Sequence, residues 1–170
     1  KEAISSWMDN KSIGLFDMAT GTGKTLTALG AIAALSEQLN HEIAVVIVCP
    51  FQHLVEQWLD DIIKFGVQPI VAYSKYKDWR VRLKKKIGDY NRNKKNGFCV
   101  IATNATFSSN DFQKLISKTE RDTCLIIDEA HNFGTPRLQE CLKPLYKYRL
   151  ALSATFERHH DEEGTAAILD

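Results

Sequence analysis

Six short, largely apolar runs of five to seven residues constrain the fold of this 170-residue chain more than any other feature. The runs do not alternate between apolar and polar residues, which is typical of strands that are buried on both faces. A parallel sheet covered by helices on two sides buries its strands in this way. The runs therefore predict an α/β domain with a mainly parallel sheet, with strands at 12–16, 43–49, 69–73, 98–103, 124–128 and 148–153.

Two of the stretches between these runs have apolar residues at helical spacing. Residues 24–39 are rich in Ala and Leu, and residues 54–65 repeat the pattern with Leu54, Val55, Trp58, Leu59 and Ile62. Both predict helices that cross over between parallel strands. Because the chain contains no internal repeat and no low-complexity linker, we expect a single domain over residues 1–170.

The segment 74–97 carries a strongly basic charge. Within it the apolar residues Trp79, Leu83, Ile87 and Tyr90 recur at steps of three and four residues, which predicts an amphipathic helix with a basic outer face. Such a face is either an ordinary solvated surface or a surface that contacts phosphates. Only Asp78 and Asp89 oppose its basic residues, which are Lys75, Lys77, Arg80, Arg82, Lys84, Lys85, Lys86, Arg92, Lys94 and Lys95.

Composition limits the remaining possibilities. The net charge is +1, because 22 Lys and Arg nearly balance 21 Asp and Glu, so any nucleic-acid surface must be a local patch. The four cysteines are dispersed without CxxC spacing and are expected to be free, buried thiols rather than disulfides or metal ligands. No apolar stretch reaches the roughly 18 residues that cross a membrane, and the first ten residues lack the apolar centre of a signal peptide. We expect a cytoplasmic protein without a membrane partner.

The segment MATGTGKT at 18–25 lies directly between the first apolar run and the Ala-rich helix. Its glycines allow successive backbone N–H groups to turn toward a phosphate, and the positive end of the following helix adds to this attraction. A chance match in a glycine-containing turn is the alternative, but the position between strand and helix argues against it. Only Met18 departs from the usual pattern, which has Gly there. The segment predicts a nucleotide-binding loop formed by Thr20, Gly21, Thr22, Gly23, Lys24 and Thr25.

The sequence DEAH at 128–131 could act on a nucleotide together with this loop. Lys24 can reach the β- and γ-phosphates of a nucleotide, and the hydroxyl of Thr25 can ligate Mg²⁺. Asp128 follows a buried strand, at the end of the sheet where open α/β folds bind ligands, and is suited to hold Mg²⁺. Glu129 can then polarise the attacking water. Lys24, Asp128 and Glu129 are the predicted catalytic residues, and His131 is placed with the nucleotide-binding residues, although a lone histidine is often only a hydrogen-bonded polar residue.

A third segment, SAT at 153–155, also ends an apolar run. The small hydroxyl side chains of Ser153 and Thr155 could hydrogen-bond back to the acidic box. By itself so short a match would carry no weight. The role expected of these two residues is to relay between the acidic box and a bound nucleic-acid strand.

The phosphate loop, DEAH about a hundred residues later, and SAT occur in the order of motifs I, II and III of superfamily 2 helicases and translocases, which this chain resembles over nearly its whole length. The resemblance implies a RecA-like P-loop NTPase domain that uses ATP and Mg²⁺ and moves on nucleic acid. CPFQHLVEQW at 49–58 resembles motif Ia and VIATNATF at 100–107 resembles motif Ib, although both are also compatible with ordinary strand-to-helix loops. The implied nucleic-acid contacts are Pro50, Gln52, His53, Thr103 and Asn104.

Within the superfamily, the chain looks more like type I and type III restriction motor subunits and excision-repair translocases than like DEAD-box RNA helicases. It lacks the PTREL sequence of the latter, and its acidic box ends in His131 rather than Asp. The resemblance favours DNA over RNA as the partner. It also implies two parts outside this chain, namely an upstream glutamine that reads adenine and a second RecA-like domain of the same protein with an arginine finger.

The expected function is ATP hydrolysis that drives movement on DNA. An RNA helicase domain and a non-catalytic nucleic-acid-binding P-loop module are the alternatives, and the intact Lys24, Asp128 and Glu129 argue against the second. A small P-loop kinase or GTPase would need an acceptor lid or a guanine-reading NKxD loop, and the sequence contains neither.

Overall fold

The computed structural model describes residues 1–19, 23–154 and 162–170, with residues 162–165 described by their backbone only. Its strands are β1 (Ile13–Asp17), β2 (Ala44–Cys49), β3 (Ile70–Ala72), β4 (Cys99–Thr103), β5 (Thr123–Ile127) and β6 (Tyr148–Ser153). Its α-helices are α1 (Glu2–Asp9), α2 (Lys24–Gln38), α3 (Gln52–Lys64), α4 (Trp79–Asn91), α5 (Asn104–Phe107), α6 (Asn110–Ile116), α7 (Pro136–Gln139) and α8 (Glu162–Leu169), and a short 3₁₀ helix spans Ala130–Asn132.

The six strands form one sheet in the order β1-β6-β5-β2-β4-β3, and every neighbouring pair is parallel. Each predicted apolar run became one of these strands, with bounds that differ by at most one residue at either end. The prediction of an α/β domain with a parallel sheet is confirmed.

Helices cover both faces of the sheet, as the uninterrupted apolar runs predicted. In β2, Ala44, Val46 and Val48 face the core that contains α4 to α8, whereas Val45, Ile47 and Cys49 face the core that contains α1, α2 and α3. All six side chains are buried. A strand with two buried faces needs no alternation of polar and apolar residues, because neither face meets water.

The predicted helices exist with adjusted ends. The helix predicted over 24–39 is α2, and the helix predicted over 54–65 is α3, which begins at Gln52. The basic segment is helical only over Trp79–Asn91, because Asn93 adopts a left-handed φ of 56° just beyond the helix end. Its four spaced apolar residues are buried, so the amphipathic prediction is confirmed.

The cysteines agree with the prediction of free thiols, but one of the four is not fully buried. All four cysteines are free; Cys49, Cys124 and Cys141 are buried and Cys99 is half-buried. Within the described part of the chain, no group of three or more His, Cys, Asp or Glu side chains is arranged to hold a metal ion by itself. No helix in that part is long and apolar enough to span a membrane.

The parallel topology brings the chemically interesting segments to one edge of the sheet. Every strand points the same way, so the residues that follow β1, β2, β4, β5 and β6 all emerge at the carboxyl edge. Backbone hydrogen bonds continue the register past the strand ends: Met18 N donates to Ser153 O at 3.0 Å, and Asp128 N donates to Val48 O at 2.9 Å. The phosphate loop and the acidic box begin along this edge. So do the residues implied to contact nucleic acid after β2 and β4.

Candidate active site

The end of the phosphate loop lies at the start of α2. Gly23 has a φ of 83° and caps the helix, and a β-carbon built there would have no atom within 4 Å. The left-handed backbone rather than crowding therefore favours glycine. Lys24 and Thr25 form the first residues of this 15-residue helix, where free N–H groups and the helix dipole favour an anion. Met18, at the usual glycine position, packs against the core of α1 to α3. The predicted residues Thr20, Gly21 and Thr22 lie outside the described residues.

The loop lysine lies against the acidic box. Lys24 Nζ donates a hydrogen bond to Glu129 Oε1 at 3.0 Å, although the two residues are 105 positions apart in the chain. Both side chains are largely withdrawn from solvent, with exposed fractions of 12% and 24%. The fold thus places the Lys24 ammonium and the Glu129 carboxylate side by side at the N-terminus of α2. A phosphate at that helix end would compete with Glu129 for the lysine.

Asp128 is buried, with 7% of its surface exposed, and both of its oxygens accept hydrogen bonds. The Trp58 indole Nε1 donates to Oδ2 at 2.9 Å, and the Glu129 backbone N–H donates to Oδ1 at 2.9 Å. Burial raises the pKa of Asp128 above its ordinary value, and the negative charge of Glu129 adds to this, whereas the Trp58 hydrogen bond opposes it. A nearby cation would favour the charged form of this carboxyl group.

Glu129 has an unusual backbone conformation. Its φ of 47° and ψ of 57° are left-handed, which costs a residue other than glycine on the order of 1–3 kcal/mol. The 3₁₀ helix Ala130–Asn132 follows directly, and the turn directs the Glu129 side chain to Lys24. His131 Nδ1 lies 3.5 Å from Glu129 Oε2, and His131 Nε2 lies 3.1 Å from the Asn132 side-chain amide. The structure therefore brings His131 into the same cluster as Glu129.

Trp58 belongs to this cluster although the sequence pattern placed it only on the apolar face of a helix. It is 1% exposed and shares the core of α1 to α3. The signal available in the sequence was chemical rather than periodic, because a buried tryptophan requires an acceptor for its N–H. Which acceptor it finds depends on how α3 packs on the sheet.

The segment resembling motif Ia lies at the carboxyl edge, around the start of α3. Pro50 is half-buried, and Gln52 and His53 are exposed. Phe51 is 53% exposed, and its ring stacks on that of His53 with centroids 5.7 Å apart and planes at 6°. These residues are accessible to a ligand that approaches this edge.

The segment resembling motif Ib is more enclosed. Thr103 is 6% exposed, and its hydroxyl caps α5 by accepting from Thr106 N at 3.2 Å. Asn104 is half-buried, and its amide donates to the Asn132 carbonyl at 3.4 Å. The Asn104 contact joins this segment to the 3₁₀ helix that carries His131.

The predicted coupling residues are only partly described. Ser153 is half-buried at the end of β6, and its carbonyl accepts from Met18 N at 3.0 Å. It thereby joins the end of β6 to the beginning of the phosphate loop. Thr155 lies outside the described residues.

Comparisons with known proteins show the family and the fold of this chain. The family described as "Type III restriction enzyme, res subunit" matches residues 1–158. A putative DNA 3'-5' helicase Rad25 from Haloarcula marismortui is 28% identical over 151 residues, which cover 88% of this chain and 21% of that protein. The chain thus spans about a fifth of this curated relative.

Solved structures with low sequence identity share the fold. The SWI2/SNF2 ATPase core of Sulfolobus solfataricus, solved in complex with dsDNA, has a TM-score of 0.69 and 20% identity; the match covers 99% of this chain and 34% of that one. The UvsW helicase of bacteriophage T4 has a TM-score of 0.64 and 16% identity, with 99% of this chain and 56% of that one covered. The chain belongs to the type III restriction enzyme res subunit family and has the fold of the first RecA-like motor domain of superfamily 2 helicases.

Proposed function

We propose that this chain is the ATP-binding motor domain of a DNA helicase or translocase, which hydrolyses ATP to drive movement on DNA. The observation that carries the proposal is the 3.0 Å contact between Lys24 and Glu129, which brings the loop lysine to the acidic box. Membership of a restriction-motor family supports it, as does a relative described as a putative DNA helicase.

The N-terminus of α2 is the proposed phosphate site. The N–H groups that open the helix and the ammonium of Lys24 converge there, and Thr20, Gly21, Thr22 and Gly23 would supply the preceding turn. Because Lys24 contacts Glu129 directly at 3.0 Å, a bound γ-phosphate would displace Glu129 from the lysine and lie between the lysine and the acidic box.

Thr25 and Asp128 are the residues that would hold Mg²⁺. Asp128 fits the ion because its carboxylate is buried and held by two donors, with lone pairs left for a hard cation or its water. The ion would supply positive charge that neutralises the phosphate oxygens during transfer. Burial raises the pKa of Asp128, and a bound cation would oppose that shift by favouring the charged carboxylate.

Glu129 is the proposed water-activating residue. Its carboxylate would orient a water for attack on the γ-phosphorus and accept its proton, while the bond to the bridging oxygen of ADP breaks. Lys24 donates a hydrogen bond to Oε1 of this carboxylate, and His131 Nδ1 lies 3.5 Å from Oε2. His131 would therefore act at the nucleotide site through Glu129.

The carboxyl edge beside this site is the proposed track for DNA. The exposed Gln52 and His53, together with Pro50, would contact one DNA strand. Thr103 and Asn104 would form a second contact with the DNA. Ser153 and Thr155 would couple these contacts to the acidic box. A second RecA-like domain of the same protein would close over the γ-phosphate and open after hydrolysis. RNA as the track is the second candidate.

The experiment that tests the proposal is steady-state ATP hydrolysis by the intact protein with no nucleic acid, duplex DNA or duplex RNA. We expect Mg²⁺-dependent hydrolysis that duplex DNA stimulates more than RNA does. Stimulation by RNA alone would move the protein to the RNA helicases. Nucleotide binding without hydrolysis under all three conditions would establish the non-catalytic alternative.

The basic outer face of α4 gives a separate prediction about DNA. Lys84 and Lys85 are exposed, whereas Lys86 is half-buried beside the buried residue Ile87. Reversing these three lysines to Glu is expected to weaken DNA binding and to flatten its dependence on salt, since each lost phosphate contact removes about 0.9 from the log–log slope. The slope is measured by fluorescence anisotropy over a range of salt concentrations.

The matched control reverses three exposed lysines elsewhere on the surface, Lys11, Lys64 and Lys147, and therefore changes the net charge equally. We expect its slope to remain close to that of the wild type. Equal slopes for both triple variants would show that the α4 face is only a solvated surface.

A further inference from the structure

Trp58 connects the surface at the start of α3 to the carboxylate of the acidic box. It lies in the middle of α3, is 1% exposed, and donates its indole N–H to Asp128 Oδ2 at 2.9 Å. The same helix begins at the exposed Gln52 and His53. One rigid helix therefore carries both a solvent-facing end and a hydrogen bond to the proposed metal-binding carboxylate.

Packing alone does not require this bond. Trp7 occupies the same core, is 3% exposed, and satisfies its indole N–H on the backbone carbonyl of Arg149, also at 2.9 Å. A neutral carbonyl is thus sufficient for a buried indole in this protein. Trp58 instead donates to a carboxylate oxygen at the same distance, and a hydrogen bond to a carboxylate is stronger than one to a neutral carbonyl.

The bond fixes the orientation of Asp128. The Glu129 N–H holds Oδ1, and Trp58 holds Oδ2, so the carboxyl plane cannot turn without losing one donor. The direction of the remaining lone pairs is set by these two contacts. Without the indole donor, Oδ2 would be buried with one partner fewer.

We propose that Trp58 is a positioning residue that holds Asp128 in its metal-binding orientation and links that orientation to the seating of α3 on nucleic acid. This inference rests on the proposed function. His53 and Trp58 are five residues apart on one helix, roughly 7.5 Å along its axis. A nucleic-acid strand that shifts the start of α3 would also move the Trp58 indole and hence the Asp128 carboxylate.

The test uses two replacements at Trp58 in the intact protein. Trp58→Phe removes the N–H and part of the ring, and incorporation of benzothienylalanine at this position keeps the ring shape with sulfur in place of the N–H. Trp7→Phe is the matched control, because it removes an indole N–H from the same core. That N–H donates over the same 2.9 Å, but to a backbone carbonyl. Thermal melting shows whether each variant is folded.

The first readout is binding rather than activity. Mn²⁺ binding to the protein saturated with ADP is measured by electron paramagnetic resonance, and ATP hydrolysis is then measured across Mg²⁺ concentrations with and without DNA. Loss of a partner that orients a metal ligand typically weakens metal binding by about 10–100-fold. We expect a loss of that size for both Trp58 replacements, reduced stimulation by DNA, unchanged DNA affinity, and none of these changes in Trp7→Phe.

Two results would overturn the inference. One is Mn²⁺ binding within twofold of wild type for the benzothienylalanine protein. The other is an equal loss in Trp7→Phe, which would indicate general loosening of the core. Failure of the proposed function has a different signature, because the wild-type protein itself would then show no DNA-stimulated hydrolysis, whereas the Mn²⁺ measurement would still compare the variants.

Discussion

Replacing Glu129 with Gln is expected to slow the hydrolysis step by about 10²–10⁴-fold while ATP still binds, the range attributed to a general base. Glutamine keeps the size of the side chain and can still hydrogen-bond to Lys24, but it cannot accept a proton. The left-handed backbone at position 129 is unchanged, because Gln and Glu have the same constraint there. Single-turnover quenched flow measures the hydrolysis step, and equilibrium titration measures ATP affinity.

A suitable control for this variant is Glu140→Gln, which makes the same change at an exposed residue beyond α7. Its hydrolysis rate is expected to equal that of the wild type. The Glu129→Gln protein is also expected to accumulate with both ATP and DNA bound, since the step that releases it is blocked. Hydrolysis at the wild-type rate would show that another group activates the water.

Lys24→Ala is expected to lower ATP affinity and hydrolysis together. The ammonium is the cation directed at the proposed β- and γ-phosphate site, and removal of one such preorganised donor typically costs about 10²–10³ in kcat. The change also leaves the Glu129 carboxylate, 24% exposed, without the partner at 3.0 Å. Affinity and rate are measured as for Glu129→Gln, so that the two variants are compared directly.

One further variant separates charge from shape at position 24, and another serves as the control. Lys24→Arg keeps the charge on a wider, planar group, and we expect it to recover only part of the ATP affinity. Lys64→Ala removes an exposed lysine that contacts Asp61 at 3.1 Å, and it should leave both measurements unchanged. Tight ATP binding by Lys24→Ala would contradict the placement of the phosphates at the start of α2.

Much of the fold could be predicted from the sequence because its main determinants are local. The apolar runs need two buried faces, and only a sheet covered on both sides provides them. The loop at 18–25 and the box at 128–131 each follow a predicted strand, so a parallel sheet places them at one edge. The small helices α1, α5, α6, α7 and α8 were not predicted, since four to eight residues carry too little periodicity to be recognised.

The identity of the contacts depended on the tertiary structure. Periodicity assigned Trp58 to the inner face of α3, but only the packing of that helix against β2 and β4 directs its N–H to Asp128. Likewise, the resemblance implied Thr103 as a nucleic-acid contact, but only the fold shows that its side chain caps α5 and is buried. A side-chain hydrogen bond depends on which acceptor lies within about 3 Å, and spacing along one element cannot give that distance.

The sequence by itself determined the α/β architecture and the parallel sheet, because these follow from burial patterns. It also identified the residues proposed to bind phosphate, hold a metal and activate water, because that proposal rests on side-chain chemistry. Only the tertiary structure decided that Lys24 meets Glu129 across 105 residues, that Glu129 turns into the site through a left-handed backbone, and that Asp128 is held from α3. The reason is physical: these features arise where separate strands end side by side, and their energies depend on distances between elements rather than on the order of residues within one.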